Sequence, residues 1–248
     1  MGAFKDHFSG CAEAYSAYRP SYPKTLVDFL ASTASGLDLA LDCGCGSGQL
    51  AVLLAERFAK VIATDASASQ IENAALNVKV EYRVAPAERS GLSDSSVDLI
   101  TAAQAAHWFD LPQFYAEAQR VARPHAAIAL ISYGVLHVKG EPNAIAQRFY
   151  REVLGPYWPP ERRHVESAYR SFDFPFEEIE TPPWSIETSW NLFDLIGYID
   201  TWSAVRELEK RLGRGPVEQF QAELARSWGD PEMRRRVRWP LAVRVGTV

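Results

Sequence analysis

A glycine-rich turn follows the first strand that the sequence predicts. The segment reads Asp42-Cys43-Gly44-Cys45-Gly46-Ser47-Gly48 and leads into a predicted helix. In such a turn, Gly44 and Gly46 let the backbone approach a ligand where a Cβ atom would collide. The carboxyl edge of a parallel sheet is also where open α/β folds bind their ligands. The turn therefore predicts a small-molecule site at this edge.

The spacing of the glycines distinguishes between cofactors. A dinucleotide loop has the pattern G-x-G-x-x-G, but counting from Gly44 the sixth position is Gln49, so Gly48 comes one residue early. A phosphate-binding P-loop is excluded because no Gly-Lys-Ser/Thr follows the turn. A cofactor with an adenosine and a charged amino-acid end but no phosphate fits better, which favours S-adenosylmethionine.

Two acidic residues at strand ends extend this candidate site. Asp65 ends the second predicted strand, 21 residues after Gly44, where a carboxylate can accept hydrogen bonds from ribose hydroxyls. An acid at this position serves NAD and S-adenosylmethionine equally. Asp42 and Asp65 could instead only cap the helices that follow, because a helix N-terminus favours negative charge. Taken with the glycine turn, both are predicted to bind the cofactor.

His107 and Trp108 follow the fourth predicted strand and are the candidate catalytic residues. An imidazole with a pKa near neutrality could orient an acceptor oxygen or act as a general base. Alternatively, His107 caps a loop and Trp108 packs a pocket wall. Methyl transfer from a sulfonium depends mainly on alignment, and a carboxylate acceptor is already ionised at pH 7 and needs no base.

Further candidates surround the same space. Tyr133, at the end of the fifth predicted strand, and Trp202, in a predicted helix, are candidates for substrate binding, although such aromatic residues more often belong to a core. Gln104 is a candidate for binding the amino end of the cofactor. Arg162 and Arg163 could clamp a carboxylate, but a solvated helix end is the favoured interpretation.

The elements that must position these residues alternate between short apolar runs and helical segments, which predicts a parallel sheet with crossover helices. The predicted strands are 37–43, 61–65, 78–84, 97–103 and 126–133. The predicted helices are 49–58, 67–76 and 112–123, with Ser67 and Asp110 as N-caps. A period-two pattern predicts a strand near 236–245 with a hairpin partner at 177–181, and Pro240 argues against a fully paired central position.

Together these elements predict an α/β fold: a Rossmann-like, seven-stranded, mostly parallel sheet with helices on both faces and a helical lid insertion before the last strands. We expect one domain with four parts. They are an N-terminal helical cover over 1–36, a cofactor-binding core over 37–134, a helical insertion or lid with one sheet strand over 135–230, and a terminal strand over 231–248.

Composition restricts the partners. The net charge of −5 argues against a nucleic-acid partner, because such binding depends on many lysines and arginines. The basic run 234–236, with Arg238 and Arg244, is expected to be a solvated strand entry. No apolar run approaches the ~18 residues of a membrane span, and the N-terminus lacks the layout of a signal peptide. We therefore expect a cytoplasmic monomer or homodimer that acts on a small molecule.

The cysteines carry no redox or metal chemistry in this interpretation. There are three of them, Cys11, Cys43 and Cys45, and the close pair is separated by one residue within a tight turn. This pattern is neither a disulfide framework nor a zinc motif. Cys43 and Cys45 are predicted to be small buried side chains beside a strand end, and no metal site is predicted.

Residues 15–133 resemble the class I S-adenosylmethionine-dependent methyltransferases, in particular the small-molecule branch that includes trans-aconitate methyltransferases. Segment 41–48 matches the first motif of the family, and Asp65 matches its ribose acid. Ala87 and Glu88 match the segment along adenine. Segment 104–108 matches the motif that faces the methionine end of the cofactor and the substrate.

The resemblance implies methyl transfer from S-adenosylmethionine to a small-molecule acceptor, for which a carboxylate oxygen of an organic acid is one candidate. C- or N-methylation of another metabolite, or S-adenosylmethionine binding without turnover, remain alternatives. Arg19, in the lead-in 15–23, is expected to pair with the methionine carboxylate. Members often carry Asp before the Ala-Glu pair, but this chain has Pro86, so the adenine contact must come from elsewhere.

Overall fold

Five parallel strands form the cofactor-binding half of the sheet in the order β3-β2-β1-β4-β5. The computed structural model describes residues 21–248. Its parallel strands are β1 (Leu39–Cys43), β2 (Lys60–Asp65), β3 (Val80–Val84), β4 (Val97–Ala103) and β5 (Ala122–Tyr133). The direction of strand order reverses between β1 and β4, so the glycine turn lies at the switch point where such sheets bind ligands.

Helices cover both faces of this sheet, as predicted. They are α1 (Lys24–Thr33), α2 (Gln49–Leu54), α3 (Ala68–Glu72) and α4 (Leu111–Val121). Leu30 and Leu50 belong to the apolar cluster on one face, whereas Phe114 and Val121 belong to the cluster on the other. Successive strand residues alternate between the two clusters because side chains of a strand point to opposite faces. The chain is therefore packed in three layers.

The predicted helix starts are confirmed, but two helix ends are not. Ser67 and Asp110 each cap a helix by accepting a backbone N–H three residues later. The helices predicted over 49–58 and 67–76 are shorter in the structure, ending at Leu54 and Glu72. Leu76 is almost fully exposed, so the apolar residues beyond α3 have no surface to pack against and do not extend the helix.

The antiparallel half of the sheet is built on β9 (Arg235–Thr247). One edge of β9 pairs with β5 and with β6 (His137–Val138), and the other pairs with β7 (Glu177–Ile179) and β8 (Trp184–Trp190). The sheet thus has nine strands rather than seven, and segment 135–230 contributes three strands rather than one. The predicted partner at 177–181 forms β7, but Pro182 and Pro183 follow it, and prolines interrupt a ladder.

Pro240 lies inside β9, where one edge of the ladder is interrupted. The pairing with β5 ends at Leu241, and the pairing with β6 begins at Arg238. The opposite edge is continuous, since Pro240 is paired with Ser185 of β8. The expectation that Pro240 opposes full pairing is therefore correct for one edge only. The N–H and C=O of one strand residue face the same edge, and Pro240, which has no N–H, accepts the Gly134 N–H at 3.4 Å on the interrupted edge.

The insertion is helical and shares the core of the sheet. Its helices are α5 (Pro142–Arg148), α6 (Arg162–Glu166), α7 (Leu192–Asp200), α8 (Ser203–Leu212) and α9 (Gly215–Trp228). Buried residues of the insertion such as Leu195, Leu208 and Leu224 join the apolar cluster that contains α1 and α2. We call residues 135–230 the lid. No helix within residues 21–248 is long and apolar enough to cross a membrane.

Candidate functional site

All three glycines of the turn have positive φ angles, of 65° at Gly44, 55° at Gly46 and 84° at Gly48. A Cβ atom on Gly44 would lie 2.5 Å from the Cβ of Ala105, and one on Gly48 would overlap the ring of Tyr82. At Gly46 the nearest atom would be 3.7 Å away. At Gly44 a Cβ atom would thus collide with the protein itself, so the expected approach of a ligand to this residue stays a prediction. Gly46 alone presents an open side.

Asp65 connects this turn to the end of β2. Its Oδ2 accepts the backbone N–H of Gly46 at 2.9 Å, and its Oδ1 accepts the N–H of Ser67 at 2.8 Å. The second bond lies at the N-cap of α3, so the capping role considered from sequence is realised here. A carboxylate oxygen can accept more than one hydrogen bond, and this geometry is compatible with ribose hydroxyls as additional donors.

Asp42 is buried beneath the turn, and one of its two carboxylate oxygens is hydrogen-bonded. Thr101 donates to Oδ1 at 2.8 Å, whereas Oδ2 has no hydrogen-bond partner among the described residues. Burial, assisted by the charge of Asp65 and opposed by the Thr101 hydrogen bond, raises the pKa of Asp42 to about 7. A cationic group beside Oδ2 would satisfy that oxygen and favour the ionised carboxylate. The ammonium at the methionine end of S-adenosylmethionine is such a group.

Gln104 begins the loop after β4 in an uncommon backbone conformation. Its φ is 55°, which non-glycine residues adopt mainly where the surroundings hold them. The backbone N–H donates to Ile131 O and the side-chain Nε2 donates to Tyr133 O, both at 2.8 Å. The amide is thereby oriented with its carbonyl oxygen left as an acceptor, the group that an ammonium requires.

His107 lies in the single helical turn Ala106–Trp108 that follows. Its Nδ1 is 2.8 Å from the hydroxyl of Tyr169. Burial, together with the positive charge of Arg162 and that of His164 when it is protonated, lowers the pKa of His107 to about 3. The near-neutral pKa expected from sequence is therefore wrong. A neutral imidazole with so low a pKa is suited to hydrogen bonding and is a weak general base.

A cavity of about 100 Å³ brings together the residues predicted to contact the acceptor and Gln104, which was predicted to bind the amino end of the cofactor. Five of the predicted residues line it: Gln104, His107, Trp108, Tyr133 and Trp202. The lid supplies the further aromatic side chains Trp158 and Tyr198, together with Tyr150 and Arg206, which were missed from sequence. No acidic side chain lines this cavity within the described part of the chain. We call it the acceptor pocket.

Arg162 also lines the acceptor pocket, which corrects the prediction of a solvated helix end. Its guanidinium carbon lies 5.1 Å from the centre of the Trp158 ring and 5.6 Å from that of Tyr150. Its Nε donates to the Tyr150 hydroxyl at 2.8 Å, and it makes no ion pair with a carboxylate among residues 21–248. Arg163 is exposed, as expected.

The side chains of Ala87 and Glu88, which were predicted to lie along adenine, make contacts within the protein. Ala87 is buried in the apolar cluster beside α4, and Glu88 accepts the backbone N–H of Asp110 at 2.8 Å. Phe109 was missed from sequence, although it directly follows the recognised motif. An atom of its ring is 3.1 Å from the place of a Cβ on Gly44, so Phe109 packs against the turn.

The remaining sequence candidates lie elsewhere. Arg19 is outside the described residues. The arginines of the basic run have acceptors within the fold: Arg235 donates to Trp228 O, Arg236 pairs with Glu187, and Arg244 pairs with Glu178. Cys43 and Cys45 are free thiols, and burial raises the pKa of each above its usual range.

The fold and turn define a Rossmann-like protein with a site for an adenosine cofactor that lacks a pyrophosphate. A family model described as a methyltransferase domain matches residues 41–130. A candidate methyltransferase of Dictyostelium discoideum is 36% identical over 229 residues, which cover 91% of this chain and 87% of the relative. A candidate S-adenosylmethionine-dependent methyltransferase of Saccharomyces cerevisiae is 30% identical, over 62% of this chain and 58% of the relative.

A solved structure extends the similarity over almost the whole chain. It is described as a candidate type II methyltransferase from Anaeromyxobacter dehalogenans, with a TM-score of 0.88 and 47% identity, covering 93% of this chain and 98% of that one. The chain therefore belongs to the class I S-adenosylmethionine-dependent methyltransferases. It is a methyltransferase with S-adenosylmethionine as its cofactor, which confirms the predicted fold, enzyme class and cofactor.

Proposed function

We propose that this methyltransferase transfers the methyl group to a carboxylate oxygen of a small organic acid held in the acceptor pocket. The observation that carries the proposal is the charge of that pocket, in which Arg162 faces the cavity and no acidic side chain of the described residues does. Such a lining attracts an anion and repels a protonated amine. The resemblance to trans-aconitate methyltransferases independently favours an organic acid.

The aromatic walls of the pocket strengthen this charge effect. Tyr150 and Trp158 lie against the guanidinium of Arg162, and the rings of Trp158 and Trp202 are 5.6 Å apart. Aromatic side chains exclude water, and a charge–charge interaction grows stronger as the surroundings become less polar. Arg162 can therefore hold an acceptor carboxylate more firmly than an exposed arginine would.

The chemistry requires alignment and no proton transfer. When bound, the cofactor supplies an electrophilic methyl group on a sulfonium, whose C–S electron pair returns to sulfur as the acceptor oxygen forms the new O–C bond. The carboxylate is ionised at pH 7, so the chain needs no base. The low pKa of His107 agrees with this requirement, because a neutral imidazole can orient the acceptor without removing a proton.

For the cofactor we propose roles that follow the contacts of the turn. Asp65 would accept the ribose hydroxyls, and the open side of Gly46 would lie against the cofactor. The oxygens of Asp42 and Gln104 would receive the methionine ammonium. Gly44, Gly48, Ala87 and Glu88 would act indirectly, by shaping the turn and the loop before α4.

The chemical lability of the product tests the acceptor atom. The purified protein is incubated with S-adenosylmethionine labelled in its methyl group and with a panel of mono-, di- and tricarboxylic acids, their amides, and amines of similar size. A methyl ester releases labelled methanol in mild alkali, whereas N- and C-methyl products do not. We expect alkali-labile label with acids only. Label in an alkali-stable product would reject the carboxylate proposal, and no label with any acid or metabolite extract would favour a non-catalytic protein.

A further inference from the structure

Tyr169 contacts His107 of the candidate site but does not line the acceptor pocket. Its side chain is fully buried, and its hydroxyl is 2.8 Å from Nδ1 of His107. It follows α6, the helix that carries Arg162 into the pocket. The same short segment of the lid therefore provides a charged group for the pocket and a partner for His107.

The backbone around Tyr169 is strained and firmly held. Ala168 and Tyr169 have φ angles of 57° and 56°, so two consecutive residues with side chains adopt the left-handed conformation. The Tyr169 N–H donates to His164 O at 2.8 Å, and Arg244 donates to Tyr169 O at 2.9 Å. The Tyr169 ring also stacks on Phe172. Such strain persists only where surrounding contacts fix it, and it is concentrated at functional sites.

The contacts of the hydroxyl select one tautomer of His107. Within residues 21–248, Nδ1 of His107 is the one hydrogen-bond acceptor for the Tyr169 O–H. If Nδ1 carried the proton, it would donate to Tyr169 and leave the buried hydroxyl hydrogen without an acceptor. If the hydroxyl donates instead, both groups are satisfied, and buried polar groups are almost always paired. The imidazole proton is then on Nε2.

We propose that Tyr169 is a positioning residue that holds His107 in the Nε2–H tautomer, so that Nε2–H donates a hydrogen bond to the methyl acceptor. This inference rests on the proposed function of the acceptor pocket. Because Nδ1 is bound to Tyr169, Nε2 is the nitrogen that remains for the cavity that His107 lines. A hydrogen-bond donor there orients an acceptor oxygen and cannot serve as a base.

The charged groups around His107 reinforce this assignment. Arg162 of α6 is the charged neighbour that acts on the imidazole at neutral pH, and it disfavours a second proton there; His164, whose own pKa is lowered by burial, adds to this effect only when it is protonated. Burial raises the pKa of Tyr169 above its usual range, which keeps the hydroxyl protonated and able to donate. The pair therefore carries one hydrogen on Tyr169 and one on His107 throughout the neutral pH range.

The tautomer can be measured directly, without knowledge of the acceptor. In protein labelled with ¹⁵N-histidine, two-bond ¹H–¹⁵N correlation spectra distinguish a protonated from an unprotonated ring nitrogen. We expect His107 to show a protonated Nε2 and an unprotonated Nδ1. A protonated Nδ1 in the unaltered protein would overturn the proposal, even if the protein proved to methylate carboxylates.

Variants then connect the tautomer to turnover. Tyr169→Phe should lose the fixed tautomer and lower kcat about tenfold, the effect of one hydrogen bond, with the S-adenosylmethionine Kd changed less than twofold. Tyr115→Phe is the matched control, because Tyr115 is buried in the same apolar cluster but its hydroxyl has no hydrogen-bond partner among the described residues. It should leave the tautomer and kcat unchanged.

A double variant separates positioning from packing. Glutamine at position 107 has an amide N–H that donates without any choice of tautomer. In the His107→Gln background, Tyr169→Phe should therefore lower kcat no further. An additional tenfold loss in that background would show that Tyr169 acts through packing and would reject the positioning role. If every variant retained full kcat while the tautomer was as expected, donation to the acceptor would be rejected.

Discussion

The carboxylate of Asp65 accepts the backbone N–H of Gly46 at 2.9 Å. This bond joins the end of β2 to the turn that follows β1, and Cys45 N–H adds a second link by donating to Thr64 O at 3.0 Å. The two strand ends are thus connected by a side chain and by the backbone. We therefore expect a ligand that contacts Asp65 to lie close to Gly46 as well.

Removal of the Asp65 carboxylate should weaken cofactor binding. We expect Asp65→Ala to raise the Kd for S-adenosylmethionine by at least about tenfold, as measured by isothermal titration calorimetry, because hydrogen bonds to a charged group are lost. Glu72→Ala is the control, since Glu72 is an exposed acid at the end of α3. Equal Kd values for the Asp65 variant and the unaltered protein would remove Asp65 from the site.

Asp42 should make cofactor binding depend on pH. Its pKa of about 7 lies above the ordinary value of 3.8, so between these pH values the cofactor-free folded protein holds a proton on Asp42 that the unfolded chain has released. Binding this proton stabilises the folded state, and the stabilisation is lost as the pH rises from about 4 through 7. An ammonium beside the carboxylate requires the ionised form, so the Kd for S-adenosylmethionine should rise as the pH falls below 7, by up to about tenfold per pH unit.

The control for this dependence is Asp42→Asn. Asparagine keeps the shape of the side chain but has no charge to titrate, and its Kd should therefore be constant between pH 5 and 8. Calorimetry in buffers of different ionisation enthalpy would also detect proton release on binding by the unaltered protein. A flat pH profile for the unaltered protein would contradict pairing of Asp42 with the ammonium.

Substitution by alanine should destabilise the protein more at Gly48 than at Gly91, which also has a positive φ but lies in open space. Gly48→Ala places a Cβ against the ring of Tyr82 at a φ of 84°, whereas a Cβ on Gly91, at a φ of 73°, would meet nothing within 4 Å. We expect a loss of unfolding free energy of about 1 kcal/mol for Gly91→Ala and about 3 kcal/mol for Gly48→Ala. Urea denaturation measures the free energy of unfolding of both variants, and equal losses would show that the ring of Tyr82 moves away from the added Cβ atom.

Arg162 and Arg163 provide a matched pair for the acceptor pocket. Arg162→Gln should lower kcat/KM for the carboxylate acceptor by about 30- to 100-fold, because a charge-assisted contact is lost. Arg163→Gln should change it less than twofold, since the adjacent side chain is exposed outside the pocket. The S-adenosylmethionine Kd should be unchanged in both variants. Equal effects on kcat/KM would place the acceptor elsewhere.

His107 should give no inflection in the pH–rate profile near 6.5. Its pKa is lowered to about 3, so the neutral imidazole persists in the folded protein while the unfolded chain takes up a proton below 6.5. The unfolded state then binds more protons, and stability should fall as the pH decreases from 6.5 towards 3. His107→Gln should make this fall less steep in thermal melts. An activity inflection near 6.5 that this variant abolished would restore the general-base role.

Some strands could be predicted from the amino-acid pattern and others could not. The strand 97–103 was predicted to the residue, because a strand buried on both faces is a mainly apolar run, here interrupted by Asp98 and Thr101 and bounded by the polar residues Ser96 and Gln104. β6 is two residues long, too short for a period-two pattern, whereas the three-residue β7 was predicted as the hairpin partner of β9. Both strands pair with β9.

The amino-acid sequence by itself determined the cofactor end of the site. The turn at Gly44, the acid at Asp65 and the loop at Gln104 follow β1, β2 and β4, which are neighbours in the sheet, and parallel strands bring their carboxyl ends to one edge. At the acceptor end, the contacts of Arg162 and Tyr169 were decided only by the tertiary structure. Arg162 and Tyr169 are 55 and 62 residues from His107 in the chain, and their contacts depend on how the lid packs. Solvation, charge and tautomer there arise from neighbours that are distant in sequence, and no local pattern encodes them.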